Sequence, residues 1–245
     1  MSAAAWRGLL GAALLLAAWE GAARFFHWPD YVLPPVSAIL AAFWAGRAAL
    51  WRAGLVTGSE ALAGYCIGTA AGVGLAMLLS VLPGLRRGVM PVALAVNSVP
   101  VAAYSPLVLL WMGLGMGSKI AMVALAVGFT VFLSALAGFD RVDARAVALL
   151  RSFGSGPVGV LWRLRLPTAL PLILTGMRVA TVRSLIVAIV TEMLGAYGGL
   201  GWVIFQAVVQ IDFVQVWSAI LAASCLSLAF FFLIGALERR IVFWR

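Results

Sequence analysis

The chain has 245 residues, of which 64% are apolar and only 10% charged, and its mean hydropathy is +1.11. Soluble domains carry about 45–50% apolar and about 25% charged residues, so a soluble domain is excluded. Net charge is +9, from 17 Lys and Arg against 8 Asp and Glu; arginines concentrated in short loops between apolar blocks are a membrane-topology signal, which removes nucleic acid as a partner and leaves the lipid bilayer.

The apolar residues arrive in blocks of the roughly 20 residues that a helix needs to cross about 30 Å of hydrocarbon. Backbone groups in lipid must be paired within their own segment, so the blocks read as helices, and the alternation of a membrane barrel is absent. The fold class is an all-α integral membrane helix bundle with six transmembrane helices.

The first span covers about Trp6 to Phe26 and is interrupted by Glu20. The alternative for this stretch is a signal peptide, with Arg7, an apolar core from Gly8 to Trp19 and small residues at Gly21 to Ala23. Pro29, Pro34 and Pro35 follow in a loop with the lone His27, which reads as an interfacial residue. Ser37 then caps an amphipathic helix to Trp51 that lies along the membrane. The second span is Thr57 to Leu82. The third, Val89 to Met112, is broken by Pro91, Pro100 and Pro106, and the fourth is Lys119 to Phe139. The fifth is Ala169 to Val190, the sixth Val214 to Leu237, with a glycine-rich turn and a short amphipathic segment between them. Residues 1–53 thus form an N-terminal helix plus a periplasmic interfacial segment, and 54–245 a five-helix core.

Arginine counts set orientation. Arg7, Arg86, Arg87, Arg141, Arg145, Arg151, Arg163, Arg165, Arg239, Arg240 and Arg245 fall on one side, against Arg24, Arg47, Arg52 and Lys119 on the other. Both termini and the connection at 140–168 are therefore expected in the cytoplasm.

Gly64, Gly68 and Gly72 make a small-residue stripe on the second span, either a dimer seam or ordinary packing within the chain. Charges within spans are costly and point to partners: Arg183 is expected to pair with Glu60 or Glu192, which are placed at the outer helix ends. Cys66 and Cys225 lie in apolar blocks and suggest neither a disulfide nor a metal site. No phosphate-cradling loop precedes a Lys-Ser/Thr pair, so the chain does not read as an ATP-binding protein.

The connection at 140–168 is shaped for a soluble partner. A helix from Asp143 to Phe153 can end at a left-handed Gly154, and Pro157 can open a second short helix to Leu164, with Val158, Val160, Leu161, Trp162 and Leu164 free to pack on something. Pro167 and Pro171 bracket the return to lipid.

Gly154, nine further residues and Leu164-Arg165-Leu166-Pro167 resemble the EAA loop, the coupling segment of ABC-importer permeases. The opening acid of that loop is replaced by Ala148, and its two alanines by Leu149 and Leu150. Pro100 to Gly115, Ala169 to Arg178 and Glu192 to Gly201 are similar to permeases of the nitrate, taurine and aliphatic sulfonate type. The resemblance implies a type I importer permease, not itself an enzyme, in the bacterial inner membrane. It implies a homodimer, two ABC ATPase subunits that bind the ATP and Mg, and a periplasmic or lipid-anchored substrate-binding protein. On this resemblance Arg151, Gly154, Pro157, Leu161, Trp162, Arg163, Leu164, Leu166 and Pro167 are the expected ATPase contact. Asn97, Ser98, Pro100, Tyr104, Arg183 and Glu192 are the expected translocation pathway for a small, anionic solute. The competing expectations are an ion-gradient-driven transporter and a membrane scaffold without transport.

Overall fold

The computed structural model describes residues 3–241, and the tail residues Val242 to Arg245, read above as cytoplasmic, lie outside the described residues. The elements are α1 (Ala3–Phe25), α2 (Val36–Val81), α3 (Arg86–Ser98), α4 (Val101–Met112), α5 (Met116–Asp140), α6 (Ala144–Ser152), α7 (Pro157–Val160), α8 (Leu166–Leu194), α9 (Leu200–Val209) and α10 (Phe213–Ile241). Among the described residues five helices are long and apolar enough to cross a membrane, and the pair α3–α4, bent by 95°, is either a sixth, broken span or a re-entrant loop.

Helices α2, α5 and α8 form the centre. One stretch of core joins Ala61 and Tyr65 of α2 to Val123 and Val127 of α5 and Ala180 and Leu185 of α8. A second, toward α6, packs Leu79, Phe132, Leu136, Phe139, Leu161 and Ile173. A third, at the far end, packs Leu50 and Ala53 against Leu200 and Ile204 of α9 and Val216 and Ala219 of α10. Helix α1 stands outside this bundle, touching it through Trp19, whose ring meets Trp217 edge-on at 4.8 Å and whose Nε1 donates to the Pro34 carbonyl at 3.0 Å.

The glycine stripe belongs to the inside of the chain. A Cβ on Gly64 would meet Val123, one on Gly68 the carbonyl oxygen of Ala124, and one on Gly72 the carbonyl oxygen of Gly128. The stripe is the seam that lets α2 and α5 approach backbone to backbone, so ordinary packing within the chain accounts for it.

Three expectations change. The separate interfacial helix does not exist: α2 runs unbroken for 46 residues, about 69 Å at 1.5 Å per residue, because no proline interrupts the sequence between Val36 and Val81. Ser37 does not cap it. Pro35 occupies the cap position without a side-chain bond, and the Ser37 backbone N–H and hydroxyl instead donate to the two Glu20 oxygens at 3.1 and 2.8 Å. The third apolar stretch is broken, as its prolines led us to expect: α3 and α4 meet at 95° across Val99–Pro100. Pro100 has no N–H to continue α3 and its fixed φ of −58° starts α4 instead. Finally, the coupling segment's second helix is not a short separate piece. It continues through a π-helical turn, Leu161–Arg165, into α8. Pro167 leaves the Arg163 carbonyl without its i+4 donor, and the backbone widens there rather than breaking.

Candidate coupling surface and translocation cavity

Two places gather the residues singled out by the sequence. The first is the turn between α6 and α7. Asp143 caps α6, its Oδ1 accepting from the Arg145 N–H at 2.8 Å. Gly154 closes the helix at φ +80°. Its N–H donates to the Arg151 carbonyl at 2.9 Å, and the Ser155 N–H reaches back to Leu150 at 3.0 Å. This Schellman arrangement is the left-handed stop expected of a glycine there. The turn leaves Phe153 77%, Val158 56% and Trp162 58% exposed, beside the exposed Arg151 and Arg163.

Not every expected contact residue is on that face. Leu161 is buried at 4% exposure in the core with Phe132 and Phe139, and Leu166 packs against the same cluster. They hold the turn to the bundle and do not present themselves outward. Leu164 is half-buried, while Pro157 and Pro167 are exposed. Arg165, also half-buried, ties the π turn to the end of α2, its Nη1 donating to the Ser80 carbonyl and hydroxyl at 2.7 and 2.6 Å. Where the EAA loop would carry its acid, Ala148 borders a hollow of about 540 Å³ shared with Arg151 and Arg165. The exposed Phe153 escapes a reading of the sequence; its place immediately before a left-handed glycine is the available signal.

The second place is a cavity of about 440 Å³ under the α3–α4 bend, between α2, α5 and α8. Asn97, Tyr104 and Arg183 supply its polar wall, and Phe129 and Phe132 its aromatic one. Ser98 and Pro100 belong to the bend and not to the lining: the Ser98 hydroxyl donates back to the Leu94 carbonyl at 2.8 Å. Arg183 does not pair with either glutamate. Its Nη2 donates to Asn97 Oδ1 at 2.9 Å and its Nη1 to Thr130 Oγ1 at 3.2 Å.

Glu192, two residues before the end of α8, and Glu60, well inside α2 and not at a helix end, occupy a separate, closed node. They are 0% and 3% exposed, their carboxyl groups lie within reach of each other, and Lys119 stands beside both. Lys119, counted above as a loop charge, is itself fully buried, and its Nζ donates to the Leu114 carbonyl. Glu192 accepts from the Thr57 hydroxyl at 2.8 Å and from the Gly201 N–H at 2.7 Å. A side chain so enclosed anchors α9 and does not line the cavity. Sequence spacing could not bring Glu60, Lys119 and Glu192 together, because they come from three different helices.

Cys66 and Cys225 are free thiols on the exterior of the bundle. Among the described residues no three His, Cys, Asp or Glu side chains stand together as metal ligands.

Comparison with known proteins joins these observations. Residues 67–243 match the family described as binding-protein-dependent transport system inner membrane component. A probable ABC transporter permease protein of Haemophilus influenzae is 30% identical, covering 96% of each chain. The formylaminopyrimidine transport permease protein ThiX of Halalkalibacterium halodurans is 30% identical over 95% of this chain and 93% of its own length. The taurine transport system permease protein TauC of Escherichia coli is 36% identical over 70% of this chain and 62% of its own. In fold, a chain from a bacterial ABC transporter involved in the import of alginate superposes with a TM-score of 0.67 at 15% identity, covering 97% of this chain and 99% of that one. A bundle of membrane-length helices, a turn with the EAA-loop spacing and a family match over most of the length agree: this chain belongs to the binding-protein-dependent inner-membrane components and is a permease subunit of an ABC importer.

Proposed function

We propose that two copies of this chain pair around a common pathway, and that each offers the α6–α7 turn to one ATPase subunit in the cytoplasm. The ATP and Mg belong to that partner; this chain contributes no cofactor. Closure of the ATPase pair pushes on the turn and switches the pathway between inward- and outward-open arrangements. A binding protein delivers the solute at the opposite face. The arginine asymmetry supports placing both termini with the turn in the cytoplasm.

The observation that carries the coupling reading is the exposure of Phe153, Val158 and Trp162 around the left-handed Gly154, flanked by Arg151 and Arg163. Apolar side chains with arginines beside them make a poor lipid face and a good protein contact. Gly154, Pro157, Trp162, Arg163 and Leu164 are the contact in this proposal, with Leu161, Arg165, Leu166 and Pro167 holding it in place. The solute is small and anionic, of the sulfonate, taurine or nitrate type. That assignment is supported by the guanidinium in the cavity and by the names of relatives such as the taurine permease.

The test is purification of the tagged chain in mild detergent with mass spectrometry of what accompanies it, repeated with Trp162→Asp. Recovery of an ABC ATPase with wild type and its loss with the variant support the proposal. A folded dimer that never brings an ATPase, in its own host, refutes it.

A further inference from the structure

Arg183 is half-buried inside the bundle, yet among the described residues it belongs to no ion pair. A guanidinium has five N–H donors; Asn97 and Thr130 take one each, which leaves three. Both partners are neutral. An uncompensated charge in a bundle interior is costly, and such residues mark a ligand or ion path. The two neutral acceptors fix the fork without discharging it. They come from α3 and α5, so the orientation of the guanidinium is set from two helices at once.

The space in front of it has a definite character. Phe129 and Phe132 line the cavity on the α5 side, and the Tyr104 side chain shares the lining with Arg183. At about 440 Å³ the volume falls within the roughly 300–1,000 Å³ of small-molecule sites.

We propose that Arg183, oriented by Asn97 and Thr130, is the specificity-determining group of a subsite for a small organic anion: one sulfonate or carboxylate on a compact apolar body. The oxyanion takes the free N–H donors in bidentate fashion, and the apolar body lies against Phe129 and Phe132. This deepens the pathway reading above and rests on it. A neutral solute gains less here, because it offers the guanidinium no opposite charge. Asn97 is one residue from the α3–α4 bend, so an occupant touches both the bend and α8.

The test is equilibrium dialysis of the permease in phosphatidylcholine nanodiscs, with and without its ATPase, using radiolabelled benzenesulfonate and its neutral counterpart benzyl alcohol. Wild type is expected to bind benzenesulfonate saturably and about ten- to a hundredfold more tightly than benzyl alcohol, the range of a charge-assisted hydrogen bond. Arg183→Gln should remove that preference and leave benzyl alcohol binding unchanged, with Arg183→Lys restoring part of it. Asn97→Asp keeps the guanidinium but supplies an internal anion, and should abolish benzenesulfonate binding even if Arg183→Gln fails to fold. No saturable binding by wild type, an undiminished preference in Asn97→Asp, or displacement of benzenesulfonate by phosphatidylglycerol in the disc would overturn the assignment, the last by showing a lipid headgroup as the occupant. Loss of ATPase co-purification with anion binding intact would instead count against the coupling reading alone.

Discussion

The Thr57 hydroxyl meets the Glu192 carboxylate at 2.8 Å across 135 residues of sequence, and the same hydroxyl oxygen accepts the Leu200 N–H at 2.8 Å. With the Gly201 N–H on Glu192 Oε2, two of the four orphan donors at the start of α9 are satisfied by side chains from other helices. Gly199, at φ +96°, and Gly201 both abut the carboxylate so closely that a Cβ could not be added. The end of α8 and the start of α9 are therefore one joint, closed around a single acid.

Glu192→Ala should open that joint. It leaves the Gly201 N–H buried without a partner, at about 1–3 kcal/mol, while the Thr57 hydroxyl keeps the Ala53 carbonyl at 3.3 Å and the Leu200 N–H at 2.8 Å. Thermal unfolding in detergent should fall by several degrees, with Glu192→Gln intermediate because its amide oxygen can still accept from Gly201. Equal melting of all three proteins would show the joint to be dispensable.

Two glycines on α2 should behave in opposite ways. Gly68→Ala drives a methyl into the Ala124 carbonyl and the Gly128 backbone, whereas a methyl added at Gly74 meets nothing within 4 Å. Gly68→Ala should lower the yield of monodisperse protein sharply, since backbone cannot give way as a side chain can. Gly74→Ala should be neutral or slightly stabilising. Size-exclusion profiles of the two variants decide it.

At the α6–α7 turn, contact and core should separate. Trp162→Ala removes an exposed side chain and should reduce ATPase recovery without changing the permease's own melting. Leu161→Ala removes a buried one and should destabilise the permease by about 2–5 kcal/mol. If Trp162→Ala instead lowers stability as Leu161→Ala does, the exposed face is part of the fold.

Restoring an acid at position 148 offers a gain-of-function test. Ala148 borders the hollow that holds Arg151 and Arg165, and Arg165 Nε is buried there without a hydrogen-bond partner. Ala148→Glu places an acceptor beside these donors and should raise the melting temperature, by an amount worth up to about 1 kcal/mol at a solvent-open site. High salt should erase the gain.

The Arg86–Asp140 pair should matter less than it looks. It is bidentate, at 2.8 and 2.7 Å, but its side chains are 40% and 50% exposed. Arg86→Ala should cost no more than about 1 kcal/mol and lose even that in high salt.

Local signals are readable in the sequence, and long-range ones are not. Asp143, Gly154 and Pro100 each act on backbone within a few residues, so the cap, the left-handed stop and the break in the third apolar stretch follow from residue type alone. The continuity of α2 is hidden because Trp44, Arg47 and Trp51 imitate an interfacial helix, while helix length is limited only by breakers that are absent there. The partners of Arg183 lie 53 and 86 residues away, and no periodicity connects them. Glu60, Lys119 and Glu192 mislead for the same reason: each sits near the end of an apolar block, where solvent exposure is the ordinary expectation, and only the packing of three helices encloses them.

The unbroken run from Pro157 through Leu194 has a mechanical consequence. At 1.5 Å per residue this rod is about 57 Å long, with Arg183 about 39 Å from its Pro157 end. Trp162, Arg183 and Glu192 ride on the same strut, and the Arg165–Ser80 bonds give it a bearing near one end. A rotation of the strut about that bearing would displace Trp162 slightly and Arg183 several times further. If the turn takes the stroke as proposed above, that stroke would be geared up at the cavity that holds Arg183.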